Sequence, residues 1–365
     1  MEKRKYVPGI ALIALIWIAL TLWAWFGAPD AESESERRLL AQMPEVKTET
    51  ILNGSFMTDF ESYTLDQFPL RDTFRTLKSI ASFYVLGQKD NNDIYIADGY
   101  AAQLEYPLNE SSVVKCAEKF TWLYDNYISG KTDNVYLSVV PDKGYYLAAQ
   151  NGYPAMDYEK LFVSLAENMP YAEYIDITDC LTIEDYYKTD THWKQENIIP
   201  VVERLAERMG FAFTDDFKLN TADIPFYGVY YGQAALPMPA DKISWLTNDA
   251  IDSAVVHNLE TDTTGGVYDL GELEGRDPYE IYLYGASPIV EIENPKAETD
   301  RRLVIFRDSF SSSITPLMIE GYSNITMVDI RYINSNFVGE YIDCTDADVL
   351  FLYSTLVLNS SNVLK

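Results

Sequence analysis

Between Val7 and Phe26 the chain runs for twenty residues without a charge, VPGIALIALIWIALTLWAWF. A helix needs about 20 such residues to cross a hydrocarbon core about 30 Å thick. This run therefore separates a membrane segment from everything that follows. Lys3, Arg4 and Lys5 precede it, and Asp30, Glu32, Glu34 and Glu36 come after it. Basic residues on the N-terminal flank predict an N-in orientation, with the chain beyond Phe26 outside the cytoplasm. A cleaved signal peptide is the alternative, with an apolar stretch of about 7–15 residues and small residues at −3 and −1 of the cut. Here Ala28 has Phe26 two places before it, and Gly27 has Trp25. We read residues 1–27 as a cytoplasmic tip and an uncleaved, single-pass signal anchor in the cell membrane. Residues 28–50 then read as a polar stalk, and 51–365 as the extracytoplasmic domain.

Acidic residues outnumber basic ones by 56 to 28, which gives a net charge of −28. Such a surface repels nucleic acid and bare anionic lipid headgroups, so neither is an expected partner of the chain beyond the membrane segment. Three cysteines, Cys116, Cys180 and Cys344, contain no C-x-x-C pair and are odd in number. They read as buried small hydrophobes rather than a disulfide framework or a zinc knuckle.

The pattern along the chain predicts alternating helices and strands, hence a mostly parallel sheet covered on both faces. Apolar spacing from Phe56 to Leu86 predicts two helices divided at Pro69. A hairpin should turn at Asp98-Gly99. Helices are expected over 111–128, 158–168, 197–209 (stopped by Gly210) and 309–319. Strands are expected over 135–140, 174–177, 303–306 and 349–353. Residues 211–300, rich in Gly, Pro, Asp and Thr, read as an insertion with an antiparallel element. Its short strands fall near 243–246, 254–257 and 281–284.

Only two histidines, His192 and His257, are present, which excludes a multi-histidine metal site. No metal ligand set is assigned. His257 sits in a short strand pattern and reads as structural. His192 follows Asp190 in Asp190-Thr191-His192-Trp193. In an extended segment residues i and i+2 project from one face, so Asp190 can hold the Nδ1 proton and leave Nε2 free as a base. A solvated Asp with a capping role is the bland alternative. The matching nucleophile is Ser309, which follows the apolar strand Leu303–Phe306. A serine at a strand-to-helix turn lies beside unpaired backbone N–H groups that can hold an oxyanion. Asp308 or Ser309 acting only as a helix cap is the alternative.

Together these segments resemble the DHHW protein family, relatives of the alginate O-acetylation proteins of the SGNH-hydrolase-like superfamily. The likeness extends to Asn53-Gly54-Ser55-Phe56, Asp66-Gln67-Phe68-Pro69-Leu70-Arg71-Asp72, Tyr95 to Tyr100, Val140-Pro141-Asp142-Lys143 and Tyr186-Tyr187-Lys188-Thr189-Asp190. The resemblance implies an SGNH-hydrolase-like three-layer α/β/α fold. It also implies a Ser309-His192-Asp190 triad in permuted order, since the serine comes first in ordinary SGNH hydrolases. The implied activity is transfer or removal of O-acetyl groups on a bacterial cell-envelope or secreted polysaccharide. No cofactor is implied; the acyl donor comes from a small ester or a partner such as a membrane-bound O-acyltransferase. Arg307 stands where the family has glycine before Asp-Ser. Further candidates for substrate binding are Tyr227 and Tyr230, in Phe226-Tyr227-Gly228-Val229-Tyr230-Tyr231-Gly232, and Asn359, with Arg307 itself. A packed aromatic loop is the plainer explanation of the tyrosines. The rival functions are a non-catalytic polysaccharide-binding or scaffold protein and a calcium-dependent carbohydrate binder.

Overall fold

Largely apolar runs of four to six residues need cover on both faces, and three such runs organise the folded chain. The computed structural model describes residues 6–33 and 35–365. Lys3, Arg4, Lys5 and Glu34, used above to orient the span, lie outside the described residues. The chain divides into two compact units, one of residues 1–92 with 231–237 and one of 93–230 with 238–365.

In the first unit, helix α1 (Val7–Phe26) buries none of its residues and is long and apolar enough to cross a membrane. Beyond it, Glu32–Ser33 pairs antiparallel with Arg38–Leu39. Three short helices follow, α2 (Thr48–Leu52), α3 (Ser55–Asp66) and α4 (Arg71–Ile80). The break between α3 and α4 falls at Pro69, and Leu70 there adopts a left-handed φ of 59°. Where the sequence suggests an open stalk, residues 30–42 are tied onto these helices. Asp66 accepts two hydrogen bonds from the Arg38 guanidinium at 2.8 and 2.6 Å and one from the Ala41 N–H at 2.9 Å. The Arg38 partner, foremost, holds the Asp66 carboxyl down at about 2. Gln67 donates to the carbonyls of Asp30 and Ala41 and accepts from the Asp30 N–H. Glu36 pairs with Arg71 and Arg75. The acid-rich segment finds its bases within the same unit.

The second unit holds an eight-stranded sheet. We number its strands β1 (Val135–Val140), β2 (Glu173–Tyr174), β3 (Val255–Asn258), β4 (Thr263–Gly265), β5 (Ile289–Glu293), β6 (Arg302–Arg307), β7 (Asn324–Val328) and β8 (Asp348–Ser354). They lie in the order β4-β3-β5-β7-β6-β8-β1-β2. Pairing is parallel from β7 through β2 and antiparallel from β4 to β7. Alternate residues of one strand feed opposite faces. Leu303 and Ile305 pack with Val201, Val202 and Leu205 of helix α8 (Ile199–Met209), while Val304 and Phe306 join the cluster of helices α5 (Glu110–Leu123) and α7 (Tyr158–Asn168). Helix α6 (Lys143–Leu147) leaves the end of β1. Cys116 and Cys344 are buried and unpaired, as small hydrophobes, whereas Cys180, also unpaired, is only partly buried against the expectation.

The expected hairpin forms, Ile94–Ala97 against Tyr100–Gln103, with Asp98 and Gly99 both at positive φ. Gly210 ends α8 in the left-handed conformation. Three expectations fail. Residues 281–284 are not a strand: a 3-10 turn covers Pro278–Ile281, and Leu283 and Tyr284 take positive φ, which reverses the chain. The strand expected over 174–177 shrinks to Glu173–Tyr174. The helix expected from 309 starts at Ser311, is α-helical only to Ile314, and tightens to 3-10 geometry over Thr315–Gly321. β5 and β7 were not anticipated, and through β5 the 211–300 segment joins the central sheet itself.

Candidate active site

Strand β6 carries the chain to Asp308 and Ser309 at the C-terminal edge of the parallel half. The buried Asp308 carboxylate fixes the turn, accepting from the Phe310 N–H at 3.0 Å and the Ser354 N–H at 2.7 Å. The second bond reaches the end of the adjacent strand β8, so the turn is clamped across two strands. Ser309 is half-buried. Its backbone N–H has no partner among the described residues. The α-helical turn begins only at Ser311 and spans four residues, so a helix dipole contributes less here than the sequence suggests.

His192 lies on a loop closed by an antiparallel bridge between Tyr186 and Trp193 and by the Tyr187 N–H donating to the His192 carbonyl at 3.1 Å. The loop is bent rather than extended, and the i to i+2 relation works through a turn. Oδ1 of Asp190 accepts both the His192 backbone N–H, at 3.0 Å, and Nδ1, at 2.6 Å. Oδ2 accepts the Val229 N–H at 2.9 Å. Nε2 of His192 stands 2.8 Å from the Ser309 hydroxyl. With Nδ1 donating to Asp190, Nε2 is the acceptor of the Ser309 proton. Asp190, His192 and Ser309, taken from positions 117 residues apart at the widest hydrogen bond, thus form one continuous chain of hydrogen bonds.

Residues far away in sequence hold this geometry. Asp241 accepts from the N–H groups of Lys188 and Thr189 and from the Thr189 hydroxyl, at 2.9, 2.8 and 2.6 Å. Thr189 in turn accepts the Gly228 N–H at 2.9 Å. Position 228 has no room for a side chain, because a Cβ there would lie 2.2 Å from Cβ and 2.3 Å from Cα of Asp190. Tyr279 stacks flat on the His192 ring, with centroids 3.8 Å apart and planes 7° from parallel. Its hydroxyl donates to Ser313 Oγ, which also accepts the Trp193 indole N–H, both at 2.9 Å. Gln195 donates to the Ser313 carbonyl at 2.7 Å. The segments bearing the histidine and the serine are bolted together. Lys143, wholly buried, donates to the Tyr187 carbonyl at 3.0 Å, and burial pulls its ammonium down to about 7.

The other candidates lie apart from this chain of bonds. Arg307 is buried, spending its guanidinium on Ser312 Oγ at 2.8 Å and the carbonyls of Gly285 and Ser287. Asn359 accepts the Asn109 N–H and donates to Glu105. Tyr230 is buried, with its hydroxyl on Thr191 Oγ1 and the Lys143 ammonium 4.8 Å over its ring. Tyr227 is 42% exposed. His257 faces Asp262 at 3.2 Å on β3. Among the described residues no three His, Cys, Asp or Glu side chains gather as metal ligands. Sequence reasoning missed Gly228, Asp241, Tyr279 and Lys143 as supports. Lys143 alone had a signal, its place in the Val-Pro-Asp-Lys segment at the end of a strand.

No protein-family model matches the sequence, and no curated protein does. Solved structures do match. A DHHW family protein from Eubacterium siraeum is 20% identical, with a TM-score of 0.62 over 75% of this chain and 94% of the other. Bacillus cereus PatB1 with a sulfonyl adduct is 17% identical, with a TM-score of 0.58 over 73% and 95%. The O-acetyltransferase domain of Pseudomonas putida AlgJ is 12% identical, at a TM-score of 0.45 over 73% and 92%. The chain therefore shares the α/β fold of a DHHW family protein, in agreement with the resemblance carried by its motifs.

Proposed function

We propose that the chain is a membrane-anchored, extracytoplasmic O-acyl-transfer enzyme of SGNH-hydrolase-like type, with Ser309 as nucleophile, His192 as general base and Asp190 as the group that orients it. The observation that carries this reading is the run of hydrogen bonds from Ser309 through His192 to Asp190, at 2.8 and 2.6 Å. In the proposed reaction Ser309 Oγ attacks the carbonyl carbon of an acetyl ester while its proton passes to His192 Nε2. The tetrahedral intermediate collapses as the ester C–O bond breaks, and His192 returns the proton to the departing alkoxide. A polysaccharide hydroxyl, or water, then gives its proton to His192 and attacks the acyl-serine. The Oγ–acyl bond breaks and His192 returns the proton to Ser309 Oγ, which frees the serine. The unpartnered Ser309 N–H suits the developing oxyanion. The order Asp190, His192, Ser309 is the permuted order that the motifs imply. A membrane-bound O-acyltransferase supplying the acetyl group on the outer face fits the anchor and the N-in orientation.

The test borrows the reagent class of the PatB1 adduct. An aryl sulfonyl fluoride should lose fluoride and leave one sulfonyl group on Ser309, located by peptide mass spectrometry. Ser309→Ala should abolish both labelling and turnover of small acetyl esters with its melting temperature unchanged. A folded wild-type chain that takes no label and turns over no ester supports the scaffold function instead.

A further inference from the structure

Helix α4 and the π-helical turn after it, Ala81–Val85, are amphipathic, but they are packed with the apolar side out. At 100° per residue Phe74 and Leu77 of α4 fall on one side, and Arg75 and Ser79 on the other. Leu70 caps the helix start, and Tyr84 lies in the π-helical turn beyond its end. The apolar stripe is the exposed one: Leu70 is 51%, Phe74 45%, Leu77 55% and Tyr84 79% accessible. The polar side is the buried one. Ser79 donates to the Ala234 carbonyl at 2.8 Å and accepts from Asn91 at 2.8 Å, while Arg75 reaches the Gly232 carbonyl at 2.7 Å and Glu36 at 3.1 Å. Helix α3 adds exposed Met57 and Leu65 and buries none of its residues. A contiguous apolar surface of this kind marks an interface with something apolar.

What covers it follows from its neighbour. Trp23, Ala24 and Gly27, at the C-terminal end of α1, line one cleft with Tyr63, Phe68 and Leu70. Leu70, the first residue of the stripe, thus lines the same cleft as the C-terminal end of the apolar span. The exposed Lys78 flanks the stripe, where a long basic side chain reaches headgroups while its stem stays in the apolar boundary. We propose that Leu70, Phe74, Leu77 and Tyr84 lie in the headgroup–acyl boundary of the leaflet at the C-terminal end of α1, so that α4 is an interfacial helix bound to phospholipid. The proposal rests on α1 crossing the membrane and is independent of the acyl-transfer chemistry.

The test uses the full chain carrying Cys180→Ser, reconstituted in phosphatidylcholine–phosphatidylglycerol vesicles. Nitroxide labels are placed singly at Leu15→Cys, Phe74→Cys, Leu77→Cys and Val163→Cys. Cys116 and Cys344 are buried, so the introduced thiol takes the label. Collision rates with oxygen, which enriches in lipid, and with a water-soluble nickel chelate report each environment. Labels at Phe74 and Leu77 should show an oxygen-to-nickel ratio severalfold above that at Val163, an exposed apolar position of the other unit, and below that at Leu15. An aqueous ratio at Phe74 and Leu77 with Leu15 in lipid overturns the proposal while leaving the span intact. Shielding of both labels from both reagents also overturns it, in favour of a protein partner. An aqueous Leu15 overturns the span and the proposal together.

Discussion

The two sides of the candidate site are built by different physics. On the serine side, β6 lies in register between β7 and β8, with Ile305 beside Met327 and Leu350, and the turn at Asp308 follows directly from buried strands. Its position is shared among many non-directional apolar contacts. On the histidine side no regular strand carries the residue. Lys188, Thr189 and Asp190 are held by Asp241, Gly228 and Val229 through a few directional hydrogen bonds. Burial distributes an error over many neighbours, whereas a lone directional bond passes it straight to the side chain it holds. The serine side should therefore lose stability before geometry, and the histidine side geometry before stability.

The sharpest way to break this contrast is Gly228→Ala. Its Cβ would press on Asp190, and a misplacement of about 1 Å in a catalytic array can cost roughly 100-fold. We expect kcat/KM on a small acetyl ester to fall by about that factor, with about 1–3 kcal/mol of destabilisation from overpacking. Unchanged turnover would show that Asp190 needs no such close support. A matched pair comes next. Asp241→Ala leaves the N–H groups of Lys188 and Thr189 unpaired, which should cost about 1–3 kcal/mol and roughly tenfold in activity. Ile305→Ala, at a fully buried position, should cost about 2–5 kcal/mol while the folded fraction keeps its turnover. Urea denaturation and kinetics on both variants decide it; a reversed ranking removes the distinction.

Lys143 sharpens the comparison by pH. Burial, its foremost cause, brings its folded-state pKa from the usual 10.5 down to about 7. Between those values the unfolded chain keeps a proton that the folded chain has released, so stability rises with pH across that window. Lys143→Met should flatten this rise, seen as urea midpoints at pH 7 and 9 that differ less than in the wild type. The smallest effect is expected at Tyr227. Loss of one stacking ring is worth about 0.5–1.5 kcal/mol, so Tyr227→Ala should slow transfer to an oligosaccharide a few-fold and leave small-ester hydrolysis unchanged.

Much of the serine side was legible in the sequence, because strands covered on both faces must be continuously apolar: β1, β6 and β8 stand out as Val135–Val140, Leu303–Phe306 and Val349–Tyr353. β5 and β7 escaped because IVEIE and NITMV are short and interrupted by polar residues, and they pair antiparallel with each other where the sequence pattern predicts parallel neighbours. Ile281–Tyr284 misled for the opposite reason. Its β-prone residues pack Ile281, Tyr282 and Leu283 inward from a turn, so tertiary burial overrides propensity. Asp190 and His192 could be paired from spacing alone. Their supports, Gly228, Asp241 and Tyr279, sit from 36 to 89 residues further along and share no pattern with them, so only folding brings them together. Arg307, Tyr230 and Asn359 looked available as polar or aromatic groups near the right segments, yet each is engaged within the protein.

The flat stack of Tyr279 on His192 carries a consequence for the order of events. An imidazole pressed face to face against a ring that is itself anchored on Ser313 can slide in its own plane but cannot swing out of it. Under the proposed chemistry, the proton taken from Ser309 must therefore be handed back along the line on which it was received. The departing alcohol and the incoming one would have to use the same doorway in turn. Such an enzyme exchanges one alcohol for another at a single threshold, and an acceptor that arrives too early would stand in the donor's way.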